Sequence, residues 1–350
     1  MNTSYLASPE FLLKSLSFIT FLELPVHWFG AYCIFRQTPD SMRSVKWSML
    51  NLHFWSMLLD WAMSLLVRPF VIVPAMAGVP MGILSEFEMP AELQYYFCVV
   101  VFSTVNVSVI SIVESRYYLL FGQKTFWRVA RFPFMALNYC AGLTYLIYPF
   151  FHTTNQSVAA EMIRKKLPEI PYFVYQRNLF IMDLDSCAIF AILILFEIIV
   201  INETFVFGYL IVVNLEKSAK RTIISKRTYE LQKKFLRALL IQIATPLLII
   251  VAPLFWFGPS ILFNIYNQTL NNFCVISISL HGFASAIVML YIHEPYRHFC
   301  CVLFLRIIRR TPLTGCKKAS ELPMTNIMGN RKSISQVMDL RVRSGSLAFR

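Results

Sequence analysis

The chain has 350 residues, a formal net charge of +13, 57% hydrophobic residues and 15% charged residues, with 31 Phe. Soluble domains carry about 25% charged residues, so one or two ordinary soluble domains are excluded. The basic excess is split among short connectors between apolar runs, which excludes nucleic acid as a partner and favours attraction to anionic lipid.

In chain order, residues 1–10 form a short N-terminal lead. Apolar runs follow at Phe11–Phe35, Trp47–Met76, Leu93–Phe121, Phe132–His152, Cys187–Leu215, Phe235–Gly258 and Phe273–Glu294. Each has about 20 residues or more, enough to cross a hydrocarbon core of about 30 Å as a helix. The expected fold over 11–294 is an all-α membrane protein, a seven-transmembrane helix bundle. Residues 295–350 are expected to form a tail that starts with a juxtamembrane amphipathic helix. The first run lacks a basic leader and is too long for the apolar core of a cleavable signal peptide. No internal repeat is evident.

Lys and Arg placement sets the expected orientation. One side carries Arg36, Arg43 and Lys46, then Lys124, Arg128 and Arg131, then a run from Lys217 to Arg237, then Arg297, Arg306, Arg309 and Arg310. Residues 77–92 and 259–272 on the other side carry none. In the loop 153–186, Arg164, Lys165, Lys166 and Arg177 are offset by Glu161, Glu169, Asp183 and Asp185. The positive-inside rule then predicts an N-terminus outside and a cytosolic C-terminus. The sequons at Asn2, Asn155 and Asn267 fall on the expected outside and are glycosylation candidates. Those at Asn106 and Asn202 fall inside spans. The eight Cys suggest no disulfide framework, although Cys98 and Cys187 both lie near the outer ends of spans.

Ionisable groups in lipid spans are costly and face the bundle interior. In span two, His53, Ser56, Asp60, Ser64 and Arg68 are spaced to share one helix face. They form either an internal polar seam, able to hold water or an ion, or a structural network between helices. Glu23 and His27 in span one are four apart and able to pair. Span three carries Thr104, Ser108, Ser111 and Ser115, which suit close helix packing. Glu197 and Glu203 lie in span five, and Ser277, His281 and Ser285 share a face of span seven. Pro25, Pro74, Pro246 and Pro253 are expected to interrupt their spans, the last two marking a bend or hinge in span six.

Glu114-Ser115-Arg116-Tyr117 ends span three. An Arg there either snorkels to headgroups or, by its resemblance to the acid, variable residue and Arg that many receptors carry at this spot, exchanges a resting ionic contact for a G protein; that resemblance makes Glu114, Arg116 and Tyr117 coupling candidates. Tyr95, Tyr96, Phe102, Phe190, Glu197 and Trp256 are candidates to line a ligand pocket in the outer halves of the spans. Aromatic walls with few polar groups suit a small organic molecule. In the tail, Val302–Arg310 reads as a helix lying on the membrane, and Cys300 and Cys301 are candidates for lipidation. Ser333 and Ser335 follow Arg331-Lys332 as candidate phosphorylation sites in a polar tail.

The residues Tyr5-Leu6-Ala7-Ser8-Pro9, Pro25-Val26-His27 and Gly30-Ala31-Tyr32-Cys33-Ile34 resemble nematode serpentine receptor class H. So do Ser44-Val45-Lys46-Trp47, Leu50-Asn51-Leu52-His53-Phe54-Trp55-Ser56 with Asp60, Glu114-Ser115-Arg116 and Glu294-Pro295-Tyr296-Arg297. The resemblance spans about Tyr5 to Phe299 and is most specific from Gly30 to Asp60. It implies a plasma-membrane chemoreceptor of sensory neurons, in their cilia, with a small-molecule ligand and a heterotrimeric G protein as partners and no cofactor. The Asn-Pro-x-x-Tyr and Cys-Trp-x-Pro motifs of rhodopsin-like receptors are missing. A transporter or channel is the alternative function, and a seven-span membrane enzyme a lesser one. The latter is disfavoured because His27, His53, His152, His281, His293 and His298 include no pair four apart and no clustered acid or Cys ligand, so no metal site is expected.

Overall fold

In a computed structural model, which describes residues 4–147, 150, 155–167, 174, 179–182, 185–221 and 225–309, Ser8 starts the first helix. Its Oγ accepts the Phe11 amide at 3.1 Å and Pro9 occupies the first turn, a cap worth about 1 kcal/mol. The helix α1 runs over Pro9–Gln37, straight through Pro25. The expected interruption there does not occur.

Span two differs from the expected single helix. Helix α2 covers Lys46–Trp61, a π turn covers Ala62–Leu66, and the helix stops at Arg68, whose φ is 47°. The Arg68 Nε donates to the Ser64 carbonyl at 2.8 Å, so Arg68 closes the helix end rather than extending the polar face. Beyond it the chain forms strands β1 (Pro69–Ile72) and β2 (Ala77–Pro80), joined by a turn with a cis Val73–Pro74 peptide. Helix α3 (Ile83–Glu86) is one turn long.

Helix α4 (Ala91–Leu120) is the central element, packed against α2, against α5 (Trp127–Thr144) and against a later long helix. Helix α6 (Gln156–Lys166) begins at Asn155, and strand β3 (Phe180–Ile181) pairs antiparallel with β2, with Ala77 opposite Ile181. The fold is the expected helical bundle, to which a small three-stranded sheet in the order β1-β2-β3 is added at one end. Gly78 is required in it, since a Cβ there would collide with the Tyr95 hydroxyl.

The long helices α7 (Ser186–Lys220) and α8 (Lys226–Leu262) follow. Helix α8 passes Pro246 and Pro253 without interruption. Span seven, by contrast, is broken: α9 (Gln268–Ser279) and α10 (His281–Ile292) meet at Leu280. Gln268 and Asn271 of α9 donate to the Val71 and Val73 carbonyls at 3.1 and 3.2 Å, fixing the sheet to the bundle. Helix α11 (Glu294–Arg309) starts eight residues earlier than its expected position at Val302. Asn2, His152, Glu169, Arg177, Asp183, Arg310, Ser333 and Ser335 lie outside the described residues.

Among the described residues, five helical segments are long and apolar enough to cross a membrane: Pro9–Gln37, Ala91–Leu120, Ser186–Lys220, Lys226–Leu262 and Gln268–Ile292. The other two expected spans correspond to α2 with its π turn and to α5. Many large side chains on the outer surface are bare, among them Phe205 at 71% and Phe255 at 78% exposure. Lipid is the solvent such a surface requires.

Candidate functional site

The polar face of α2 turns inward as expected: His53, Ser56, Asp60 and Ser64 are all buried. The π turn rotates the end of the helix, and Ser64 Oγ there donates to Glu23 Oε2 at 3.0 Å while Thr20 Oγ1 donates to Ser64. His53 Nε2 lies 3.0 Å from the His27 carbonyl. His27 does not pair with Glu23; its Nε2 lies 3.1 Å from Asp60 Oδ2.

Asp60 is fully buried and has four neighbours that can donate. Gly282 N and Phe283 N donate at 2.9 and 2.6 Å, and His27 Nε2 and His281 Nδ1 stand at 3.1 and 2.8 Å. The two amides belong to the second and third residues of α10, whose start is left open by the break at Leu280. A carboxylate at that position satisfies orphan donors and complements the positive end of the helix. Among the described residues, Glu23 Oε1, His27 Nδ1 and His281 Nε2 have no hydrogen-bond partner.

A cavity of about 490 Å³ lies midway along α4, α7 and α8, with Ser56 and Asn106 on its inner side and Phe205 and Tyr209 on its lipid side. Asn106 Nδ2 donates to Glu197 Oε1 at 2.6 Å. The Thr204 hydroxyl on its wall is buried and has no partner among the described residues. None of the six expected pocket residues lines this cavity. Tyr95 stacks on Phe180, Tyr96 donates to the Leu143 carbonyl at 2.6 Å, Trp256 Nε1 donates to Asn271 at 2.9 Å, and Phe190 packs beside Gly258. Phe102 is a half-buried part of the core. The sequence signal for the cavity was Gly208, a small residue amid bulky ones on α7.

At the other end of α4, Arg116 and Glu114 part company. Glu114 accepts Trp127 Nε1 at 2.8 Å and Arg131 Nη2 at 3.0 Å. Arg116 reaches α8, where its Nη2 donates to Gln232 Oε1 and its guanidinium sits 4.3 Å over the Phe235 ring. The expected acidic partner of Arg116 is thus a neutral amide. Tyr117 packs edge-on against Trp127 and beside Phe207. Arg116, Gln232 and Phe235 line a second cavity of about 250 Å³ with His293 and Glu294. The Lys234 ammonium, 2.5 Å away, holds the Glu294 carboxyl below the usual range through its hydrogen bond.

In α11, Cys301 is exposed and Cys300 half-buried. Tyr296 is fully buried and shares a 2.8 Å hydrogen bond with Thr38, the residue that ends α1. Cys98 and Cys187 are free thiols, the first buried and the second exposed. Asn155 and Asn267 are exposed helix caps, accepting from Ser157 N and Leu270 N at 3.1 and 3.2 Å.

The family model for the serpentine type 7TM GPCR chemoreceptor Srh matches residues 7–306. The chain is similar to serpentine receptor class H-72 of Caenorhabditis elegans, with 25% identity over 319 residues, 86% of this chain and 88% of that protein. It is also similar to the crystal structure of squid rhodopsin, with a TM-score of 0.51 and 11% identity, over 89% of this chain and 91% of that one. That last likeness bears on the helical bundle alone.

Proposed function

This chain belongs to the Srh family of serpentine seven-transmembrane chemoreceptors, and from that premise we propose that it binds a small external molecule and activates a heterotrimeric G protein. The family is one of multi-pass membrane receptors and not of enzymes. The proposal includes the plasma membrane of sensory neurons, their cilia in particular, with the N-terminus outside. The charge distribution of the connectors supports that orientation.

One observation carries the coupling reading. Arg116 joins α4 to α8 through the neutral side chain of Gln232 and the face of Phe235, beside a cavity at the basic end of the bundle. A switch requires contacts that differ between two states. An amide holds a guanidinium less firmly than a carboxylate does, so moving α8 away releases Arg116 at modest cost. Glu114 is already engaged by Arg131 and does not compete for it.

For the ligand, the cavity among α4, α7 and α8 has an apolar wall and polar groups at Ser56, Asn106 and Thr204. That chemistry suits a small lipophilic molecule with a hydrogen-bonding group. A transporter reading relies on half-helices whose open N-termini receive an anionic solute. Here the first turn of the half-helix, at Gly282 and Phe283, already holds the chain's own Asp60.

The test is a screen of odorants and secreted small molecules against cells expressing the receptor, read by intracellular calcium. A hit that signals through the wild type but not through Arg116→Ala, at equal surface level, supports the reading. A ligand-free ionic current with no agonist response overturns it.

A further inference from the structure

We propose that Glu23, His27 and Asp60 form a binding site for one divalent cation of the zinc class, held between α1 and α2 inside the bundle. One potential ligand atom from each residue lies within 4.8 Å of the others. All three residues are completely buried. Glu23 and His27 are four apart on α1 and therefore project from the same face.

The site has room for a further partner. Glu23 Oε2 accepts from Ser64, but Oε1 has no donor among the described residues. A bare carboxylate oxygen in an apolar interior is costly. A dication balances the two carboxylates, with His27 as a neutral ligand. The donor set of one imidazole nitrogen and two carboxylate oxygens suits zinc, whereas magnesium and calcium call for oxygen alone.

One of the three ligand spacings already fits this choice, and Glu23, within 4.8 Å of the other two, closes in on the metal. A tetrahedral zinc with bonds of about 2.0 Å holds its ligand atoms about 3.3 Å apart. His27 Nε2 and Asp60 Oδ2 are 3.1 Å apart, so the metal takes the place of the proton between them. The surrounding hydrogen bonds orient both carboxylates. Asp60 is held by Gly282 N, Phe283 N and His281 Nδ1, and Glu23 by Ser64, which Thr20 in turn contacts. Such supporting bonds accompany metal ligands as a rule. Bound there, the cation ties span one to span two beside the break in span seven, whether or not the receptor reading above is correct.

The experiment uses the full-length receptor, expressed with zinc in the medium and purified in detergent without chelator. Metal content is measured by mass spectrometry, and the zinc shell by X-ray absorption. The expected result is about one zinc per receptor, with nitrogen and oxygen ligands at about 2.0–2.1 Å. Zinc should raise the Tm and a chelator should reverse the gain. Glu23→Gln and His27→Gln should each weaken zinc binding about tenfold or more, while His298→Gln and Cys301→Ser leave it unchanged. If the variants do not fold, the wild-type zinc shell and its chelator-reversible Tm decide the matter. A wild type without zinc, a sulfur shell, zinc retained by both α1 variants, or stabilisation by sodium but not zinc overturns the site.

Discussion

Asp60 Oδ1 accepts the backbone amide of Gly282 at 2.9 Å, across 222 positions of sequence. Span seven is broken at Leu280, and the freed start of α10 takes its cap from another helix. The contact also explains the glycine. A Cβ at 282 would lie 2.6 Å from Asp60 Oδ2 and 2.7 Å from the Ser56 carbonyl, leaving no room for any side chain.

Gly282→Ala should therefore destabilise the receptor by about 1–3 kcal/mol, the usual cost of forcing extra volume into a packed interior. Asp60→Ala strands two buried amides, each at about 1–3 kcal/mol, and should be the more damaging change. Asp60→Asn keeps one acceptor oxygen and should fall between wild type and Asp60→Ala. Thermal unfolding of the purified receptor ranks the three, and a Gly282→Ala Tm equal to wild type would contradict the close approach.

Arg116→Ala should spare surface expression and ligand binding while abolishing G-protein activation. Arg116→Lys should restore little, because one ammonium does not reproduce the planar fork that meets Gln232 and lies on Phe235. Gln232→Ala should raise basal activity, since it removes the resting contact and keeps the arginine. Nucleotide exchange at matched surface density measures all three, and equal signalling by the Arg116→Lys variant and the wild type would reduce the residue to a headgroup anchor.

Gly208 gives a direct handle on the cavity. Among the described residues, a Cβ there has one neighbour within 4 Å, Leu240 Cδ2 at 3.9 Å, so Gly208→Leu should fold normally and grow into the open volume. Once an agonist is known, its potency should fall about tenfold or more, because a blocked pocket removes burial worth about 1.5–3 kcal/mol. Tyr95→Ala and Trp256→Ala, whose side chains lie away from this cavity, should affect expression more than potency. The reverse pattern would return the ligand to the outer aromatic residues.

Asn155 and Asn267 use their side-chain oxygens as helix caps and remain exposed. With the N-terminus outside, digestion with an amidase that removes N-glycans should shift the receptor band, and Asn155→Gln should reduce that shift. An N-terminal tag should be stained in intact cells and a C-terminal tag only after permeabilisation. Staining of the C-terminal tag in intact cells would invert the map.

The bundle was legible in the sequence because lipid demands long apolar runs, and such runs survive any detail of packing. The inward face of His53, Ser56, Asp60 and Ser64 was legible for a similar reason, since polar groups in lipid face one another. Arg68 misled because periodicity continues on paper past the π turn, where the backbone leaves the helix at positive φ. The sheet was hidden by its apolar composition: Phe70, Val71 and Ile72 fit a strand and a span equally well. The partner of Arg116 was hidden because Gln232 is 116 positions away and carries no charge to advertise it. Pro74 does fall where span two leaves the helix, but Pro25, Pro246 and Pro253 overstated their effect; the Ile249 carbonyl that Pro253 leaves unpaired accepts Ser277 Oγ of the neighbouring helix at 3.4 Å.

Tyr296 has a practical consequence for the length of a recombinant chain. Its ring has no exposure and its hydroxyl reaches Thr38, so the first turn after span seven is interior material rather than appendage. A stop codon at 295 would remove a keystone from the base of α1. One placed after Arg309 retains the whole of α11 and is the shorter end point to choose for a fluorescent fusion or a stabilised fragment.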